Sequence, residues 1–166
     1  MSEDFEASKS AGVHHQLSKL EGKWEGIART WFEPGKLADE SPITGTMRLI
    51  LSGRFILHEY VGSLQNKSFE GIAIYGYHLG LKKFQGAWID SFHNGTAIMF
   101  SEGKKGSEDF TMLGNYAYVT PDIEQYWGWR TKIDFVNDDE VMIMAYNVSP
   151  EGEEAKATEV AYKKVK

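Results

Sequence analysis

An alternation of apolar and polar residues begins after Gly22, and it constrains this chain more than any other feature. A period of two is typical of β-strands that bury one face. Ten segments carry it, and we predict strands over Lys23–Glu33, Gly45–Leu51, Arg54–Leu64, Ser68–His78, Lys83–His93, Thr96–Glu102, Asp109–Tyr118, Glu124–Val136, Glu140–Asn147 and Ala155–Val165. Short segments rich in Gly, Pro, Asn and Asp separate them. About ten antiparallel strands without a helical break predict an all-β, closed meander barrel rather than βαβ units.

The residues before Gly22 carry a helical pattern instead. Val13, Leu17 and Leu20 are spaced to share one face of a short helix, and Gly22 ends it. A helix this short is stable only when it packs on something. We therefore expect it to close one end of the barrel over Trp24.

Length and composition fit a single domain. The chain has 166 residues, of which 42% are hydrophobic and 13% aromatic, and this is enough to bury one sizeable core. Residues 1–12 are acidic and polar and are predicted to form a mobile tail. Residues 13–166 then form one barrel domain.

Charge and residue usage exclude several function classes. The net charge is −6, and no stripe of Lys and Arg offsets it, so we expect no nucleic-acid partner. The chain has no cysteine, which removes disulfides and thiolate chemistry and fits a reducing compartment. We find no secretory signal and no run of about 18 apolar residues. The expectation is a soluble, cytoplasmic protein without a membrane partner.

Turn sequences indicate which residues share a face of the barrel. The "HNGT" turn is typical of a two-residue hairpin and would place Trp88 opposite Ser101. The "LSGR" turn would place Met47 opposite His58. If the other connections are even in length, one continuous face contains Met47, Leu49, Ile56, His58, Tyr60, Gly71, Ala73, Tyr75, Tyr77, Phe84, Gly86, Trp88, Asp90, Phe92 and Met99.

This face is predicted to lie inside the barrel. Small residues lie beside large ones on it, with Gly71 near Tyr60 and Ala73 near Trp88, and such alternation is how a small barrel fills its taper. The opposite face is aliphatic enough to remain an alternative. A single bulge would also reverse every residue beyond it.

A second face follows from a turn at Asn137-Asp138. It would contain Trp127, Trp129, Ile133, Phe135, Met142, Met144 and Tyr146. These residues are interpreted as core. The two faces together contain more apolar residues than a small barrel needs to fill its interior. A cavity or a homodimer interface is therefore an alternative interpretation.

Two stretches carry a family resemblance. The helix followed by Gly-x-Trp in "LSKLEGKWEG" resembles the entry strand of the lipocalin and calycin barrels. The longer stretch "LSGRFILHEYVGSLQNKSFEGIAIYGYHLGLKKFQGAWIDSF" resembles DUF1579, a bacterial family of domains of unknown function. The resemblance extends over nearly the whole chain from Leu17. It implies a lipocalin-like barrel and no particular activity.

Asp90 is the sharpest candidate for chemistry, because a buried carboxylate needs hydrogen-bond donors or a cation. Tyrosine hydroxyls and His58 on the same face could supply them. The cluster is interpreted as a polar core, as the polar end of a ligand pocket, or as an acid–base group. The predicted ligand-binding residues are His58, Tyr60, Tyr75, Tyr77, Trp88, Asp90, Met99, Trp129 and Met144.

We predict no metal ion and no cofactor. The related nitrobindin barrels hold haem, but His58, His78 and His93 lack metal-ligand spacing, and only His58 is expected to point inward. The "DSFH" stretch cannot form a catalytic triad, because adjacent strand residues point to opposite faces. The first hypothesis is a barrel that binds a small apolar or amphipathic molecule. The alternatives are an isomerase or cyclase that uses Asp90 or His58 for proton transfer, and a structural or oligomerisation domain with a filled core.

Overall fold

A computed structural model describes residues 2–166, in which ten antiparallel strands close into a barrel and two short helices cover one end. The helices are α1 (Ser2–Ala11) and α2 (Val13–Ser18). The strands are β1 (Gly22–Glu33), β2 (Lys36–Ile50), β3 (Phe55–Leu64), β4 (Lys67–His78), β5 (Lys83–Asp90), β6 (Met99–Glu102), β7 (Thr111–Val119), β8 (Glu124–Asn137), β9 (Glu140–Val148) and β10 (Glu154–Lys164). Each strand pairs with its neighbours in sequence, and β1 pairs with β10. The predicted ten-stranded meander barrel is confirmed.

The register from β2 to β5 agrees with the face predicted from the turns. Met47 lies opposite His58 across β2 and β3. The β3–β4 hairpin turns at Gln65 and Asn66, whose φ angles of 49° and 64° suit a two-residue turn of the type that matches strand twist. Because these connections are even in length, the alternation of faces passes from strand to strand, and Ile56 is fully buried.

The "HNGT" hairpin is not formed as predicted. Strand β5 ends at Asp90, and Trp88 lies opposite Met99 instead of Ser101. The shift is two residues, which preserves the face of every residue still in the strand. Phe92 lies beyond the end of the strand and is exposed instead of buried.

The second predicted face is wrong in β9. The turn lies one residue later than expected, and a register shift follows between Phe135 and Asn137. Ile133 therefore pairs with Ile143, so the odd-numbered residues of β9 face the interior. Met144, predicted to bind ligand, lies on the outer face, as do Met142 and Tyr146. The physical reason is the bulge, which adds one residue to one strand and reverses the faces beyond it.

The N-terminal residues differ from the predicted mobile tail. Residues 2–11 form α1, and its Phe5 is buried under the guanidinium of Arg54, which lies 4.5 Å from the ring centroid. The Ser8 hydroxyl lies 2.8 Å from His14 Nδ1, and this contact joins α1 to α2. One aromatic anchor and one hydrogen bond are weak sequence signals, which is why composition alone indicated a tail.

Helix α2 closes the barrel end as predicted. Leu17, Leu20 and Trp24 are almost fully buried, and the Trp24 indole N–H donates to the Leu20 carbonyl at 2.8 Å. We call this end, together with the β-turns beside it, the closed end. No helix within residues 2–166 is long and apolar enough to cross a membrane.

Candidate ligand-binding site

The opposite end, which we call the open end, is organised by Asp90. Its side chain is fully buried at the last position of β5. One carboxylate oxygen, Oδ1, accepts the backbone N–H groups of Phe92 at 3.0 Å, of His93, and of Asn94 at 3.3 Å. An Asp side chain that binds the backbone two to four residues ahead forms a turn and ends the strand. This contact is why the chain leaves the sheet before the predicted hairpin.

The second carboxylate oxygen of Asp90 joins a network of side chains. Oδ2 accepts the Tyr60 hydroxyl at 3.1 Å and His93 Nδ1 at 2.5 Å. The Trp88 indole N–H donates to the Tyr60 oxygen at 2.7 Å. Gly71 allows this arrangement, because a Cβ there would clash with the Tyr60 hydroxyl. We call Trp88, Tyr60, Asp90 and His93 the polar network.

Electrostatics favour an ionised Asp90 in this network. Burial by itself raises the pKa of Asp90, but the hydrogen bonds from the His93 ring and from the backbone N–H groups of Phe92 and His93 together outweigh it, so the pKa lies below its usual range. Burial, and next the charge of Asp90, raises the pKa of the Tyr60 hydroxyl. Tyr60 is therefore a neutral donor to a carboxylate.

His93 was expected on the outer face, and the structure places it at the barrel interior. The turn after Asp90 carries its ring to the side of the stacked Trp88 and Trp129, whose ring centroids lie 5.4 Å and 6.0 Å away. Among the side chains of residues 3–166, His93 Nε2 is the one buried nitrogen or oxygen without a hydrogen-bond partner. The signal that could have found this residue is the Asp followed by Ser and Asn, a composition typical of an Asx turn.

His58 does not contact Asp90, contrary to expectation. Its Nε2 lies 3.0 Å from the Tyr162 hydroxyl, and its ring packs on Tyr60. Burial lowers the pKa of His58 to about 3. His58 is therefore neutral, and its hydrogen bond is to a neutral hydroxyl.

A cavity of about 100 Å³ lies inside the barrel between His58 and the polar network. The rings of Trp88 and Trp129 stack along its wall with centroids 5.5 Å apart and planes 24° apart. The other predicted residues on the wall are His58, Tyr60 and Tyr75. Sequence reasoning missed further lining residues, among them Ser101, Met112, Thr131, Ile143, Ala145 and Thr158.

Four predicted ligand-binding residues lie elsewhere than on the cavity wall. Asp90 lies behind the wall, where it contacts the wall residues Tyr60 and His93. Tyr77 is buried near the closed end, where its ring meets Phe84 edge to face at 4.9 Å. Met99 is buried in the small cluster around Trp129 without lining the cavity. Met144 lies on the outer face. Within residues 2–166, no group of three or more His, Asp or Glu side chains is placed to hold a metal ion.

Comparisons with known proteins give a family and two similar solved structures, of which the first supports the fold. The model of a family described as a protein of unknown function, DUF1579, matches residues 9–164. An S-type phycobiliprotein lyase from Guillardia theta is 14% identical, with 93% of each chain covered and a TM-score of 0.56. A DUF3598 protein of unknown function from Nostoc punctiforme is 15% identical, with 90% of this chain and 49% of that chain covered and a TM-score of 0.43. No curated protein matches the sequence.

Proposed function

The chain belongs to the DUF1579 family, and from that starting point we propose that it binds a small apolar or amphipathic molecule inside the barrel. The observation that supports this best is an interior cavity walled by five Phe, Tyr and Trp rings and bordered by the polar network. Small-molecule sites are usually concave, mostly apolar, and supplied with a few placed polar groups. A structural domain with a filled core would not need that space.

The size of the cavity limits the ligand. An apolar protein cavity of about 150 Å³ binds benzene, and the cavity here is about 100 Å³. The cavity is smaller than that benzene site, so one small ring is the largest ligand it suits, and its wall must relax slightly to admit the ring. A larger ligand would require the 91–98 segment at the open end to move.

Proton-transfer catalysis is a second candidate, and one contact favours it. A carboxylate that holds a histidine ring by Nδ1 is an arrangement that orients the other ring nitrogen for acid–base work, and Asp90 holds His93 in this way. The isomerase or cyclase alternative then relies on Asp90 and His93. His58 is a poor base for it, since its pKa is about 3.

A homodimer remains a proposal that the outer surface favours. Ile72, Ile74, Ile89 and Phe100 are exposed together on the outer face of β4, β5 and β6. Apolar patches of this kind often mark protein interfaces. Light scattering on the purified protein would measure its mass. The cytoplasmic location and the lack of a nucleic-acid partner stay predictions from composition.

A methyl NMR titration with fluorobenzene tests the binding proposal. Met112 lines the cavity, whereas Met144 lies on the outer face. We expect fluorobenzene to shift the Met112 methyl signal and leave the Met144 signal in place. Native mass spectrometry of protein purified from its own host would show in parallel whether a natural ligand is retained.

A cavity-filling variant supplies the control. Ala145 borders the cavity and is buried, whereas Ala117 is exposed on β7. Ala145→Leu should abolish the shift of the Met112 signal by occupying the space, and Ala117→Leu should leave it unchanged. A wild-type Met112 signal that does not respond, or a response that survives Ala145→Leu, contradicts binding in the cavity.

A further inference from the structure

We propose that the ligand is an uncharged ring bearing a hydroxyl group, of the phenol class, and that His93 Nε2 accepts the hydrogen bond of that hydroxyl. This inference rests on the proposed function, because it assigns a ligand class to the same cavity. It assigns the recognising role to His93, a residue that strand alternation would place outside the barrel.

The proton on the His93 ring is located by its partner. A carboxylate oxygen only accepts hydrogen bonds, so the contact of 2.5 Å between His93 Nδ1 and Asp90 Oδ2 requires a hydrogen on Nδ1. In the neutral ring, Nε2 then carries a lone pair and accepts a hydrogen bond. His93 Nε2 is therefore an acceptor because Asp90 holds the ring by Nδ1.

The acceptor has no partner within the protein. His93 Nε2 is buried and makes no hydrogen bond with residues 2–166. Such orphaned buried atoms are uncommon in native proteins. The ring borders the cavity beside Trp88 and Trp129, so a molecule in the cavity is placed to supply the missing donor.

The charges around the cavity favour an uncharged ligand. Asp90 contributes a carboxylate at the open end, and Arg29 is the one Lys or Arg residue on the wall formed by residues 2–166. Arg29 is already bound by Glu40 at 2.7 Å and Glu159 at 3.1 Å. A ligand carboxylate would lose its hydration and gain no free cation.

The flat faces of the wall favour a ring. Trp88 and Trp129 stack on each other along the wall, and a ligand ring beside them would gain the offset or edge-to-face packing that aromatic pairs prefer. The Trp88 N–H and the Tyr60 hydroxyl already donate within the polar network. They are therefore engaged, whereas His93 Nε2 beside them is buried and has no partner.

Phenol, fluorobenzene and benzoate separate the elements of this inference. The first two have nearly the same shape and differ in the hydroxyl group, and the third adds a charge. With the Met112 methyl signal as the reporter, we expect phenol to bind about tenfold more tightly than fluorobenzene, as one extra hydrogen bond would give. We expect benzoate to leave the signal unchanged.

His93→Phe removes the acceptor and keeps a ring. It should lower phenol affinity to the fluorobenzene level while the fluorobenzene affinity stays the same. His15→Phe is the matched control, because His15 is exposed on α2 at the closed end. It should retain the preference for phenol.

A readout on the wild-type protein keeps the test independent of variant folding. Phenol should shift the ¹⁵N signal of His93 Nε2 in the direction of a newly accepted hydrogen bond, and fluorobenzene should not. Equal binding of phenol and fluorobenzene, a preference that survives His93→Phe, or an unchanged Nε2 signal would overturn the inference and leave the binding proposal intact. If neither compound moves the Met112 signal, both proposals fail.

Discussion

Two histidines border the same cavity and are held in opposite ways. His58 is bonded to the neutral hydroxyl of Tyr162, and burial keeps its pKa at about 3. His93 is bonded to the ionised Asp90 and has one nitrogen without a partner. The comparison teaches that His58 uses its hydrogen-bonding capacity within the protein, through Tyr162. At the open end, His93 Nε2 has no partner in the protein and can accept a hydrogen bond from another molecule.

The two ends of the barrel also differ in how completely their side chains are buried. Towards the closed end, Trp24, Leu17 and Leu20 are at most 1% exposed. At the open end, Trp129 borders a cavity and Phe92 is 45% exposed. Stability and binding are therefore expected to depend on different ends of one barrel.

The largest effect should come from Trp24→Ala at the closed end. Removing a fully buried indole that also donates to the Leu20 carbonyl should lower the free energy of unfolding by about 3–5 kcal/mol. Trp129→Ala at the open end should cost less, because Trp129 already borders empty space. Urea denaturation measures both, and an equal or larger cost for Trp129→Ala would break the comparison.

Deletion of residues 1–20 should be the next largest effect. It removes α1 and α2 and uncovers Trp24, so the loss of buried apolar area should lower stability by about 2–4 kcal/mol at 25 cal/mol per Å². Thermal denaturation of the shortened chain gives the change. An unchanged melting temperature would mean that the helices do not pack on the barrel.

Asp90→Ala tests the polar network at the open end. It leaves the Tyr60 hydroxyl, the His93 ring N–H and the backbone N–H groups of the turn without their acceptor. Because these hydrogen bonds are only partly buried, water can replace part of what is lost, and the total cost should be about 1–3 kcal/mol. Ser91→Ala should cost well under 1 kcal/mol, although Ser91 Oγ accepts the Glu70 N–H at 2.9 Å, because that contact is exposed.

A third variant separates stability from binding at Asp90. Asp90→Asn should keep most of the stability, because the amide has the shape of the carboxylate. It should weaken ligand retention, because the amide has no charge. Urea melts of the three variants give the order of stability. A harmless Asp90→Ala combined with a costly Ser91→Ala would contradict the role assigned to the network.

A pH dependence due to His58 comes last, because it is a change of slope rather than a single loss of stability. The folded-state pKa of His58 is about 3 against 6.5 in a free side chain. The unfolded chain therefore binds a proton between these values and the folded chain does not, so stability falls as the pH falls through this range. The slope is at most about 1.4 kcal/mol per pH unit for one such group.

A His58→Gln variant identifies the responsible residue within this pH window. Burial also lowers the pKa of His14, which adds a smaller term of the same sign. Asp90, with its pKa below the usual 3.8, loses its contribution as the pH falls below about 4, outside the window from 4 to 6.5. Urea melts of His58→Gln across that window should show a shallower slope than wild type. An unchanged slope would mean that His58 is not the buried neutral group.

Much of the candidate site could be predicted from alternation and turns. His58, Tyr60, Tyr75 and Trp88 line the cavity because β3, β4 and β5 are joined by even connections, so a period of two carries over from strand to strand. Trp129 was also placed inside correctly. Tyr77 lies on the predicted inner face but near the closed end, away from the cavity. Alternation does not indicate how far along the barrel axis a residue lies.

The sequence by itself determined the strand-rich pattern, the meander order and the inner face of β2 to β5, because these follow from local periodicity and turn length. The tertiary structure decided the rest. Met144 is outside because one bulge reversed β9, and His93 is inside because the buried carboxylate of Asp90 binds the backbone N–H groups of the turn after β5. A residue outside a strand no longer obeys alternation, so its position depends on contacts that only the closed barrel brings together.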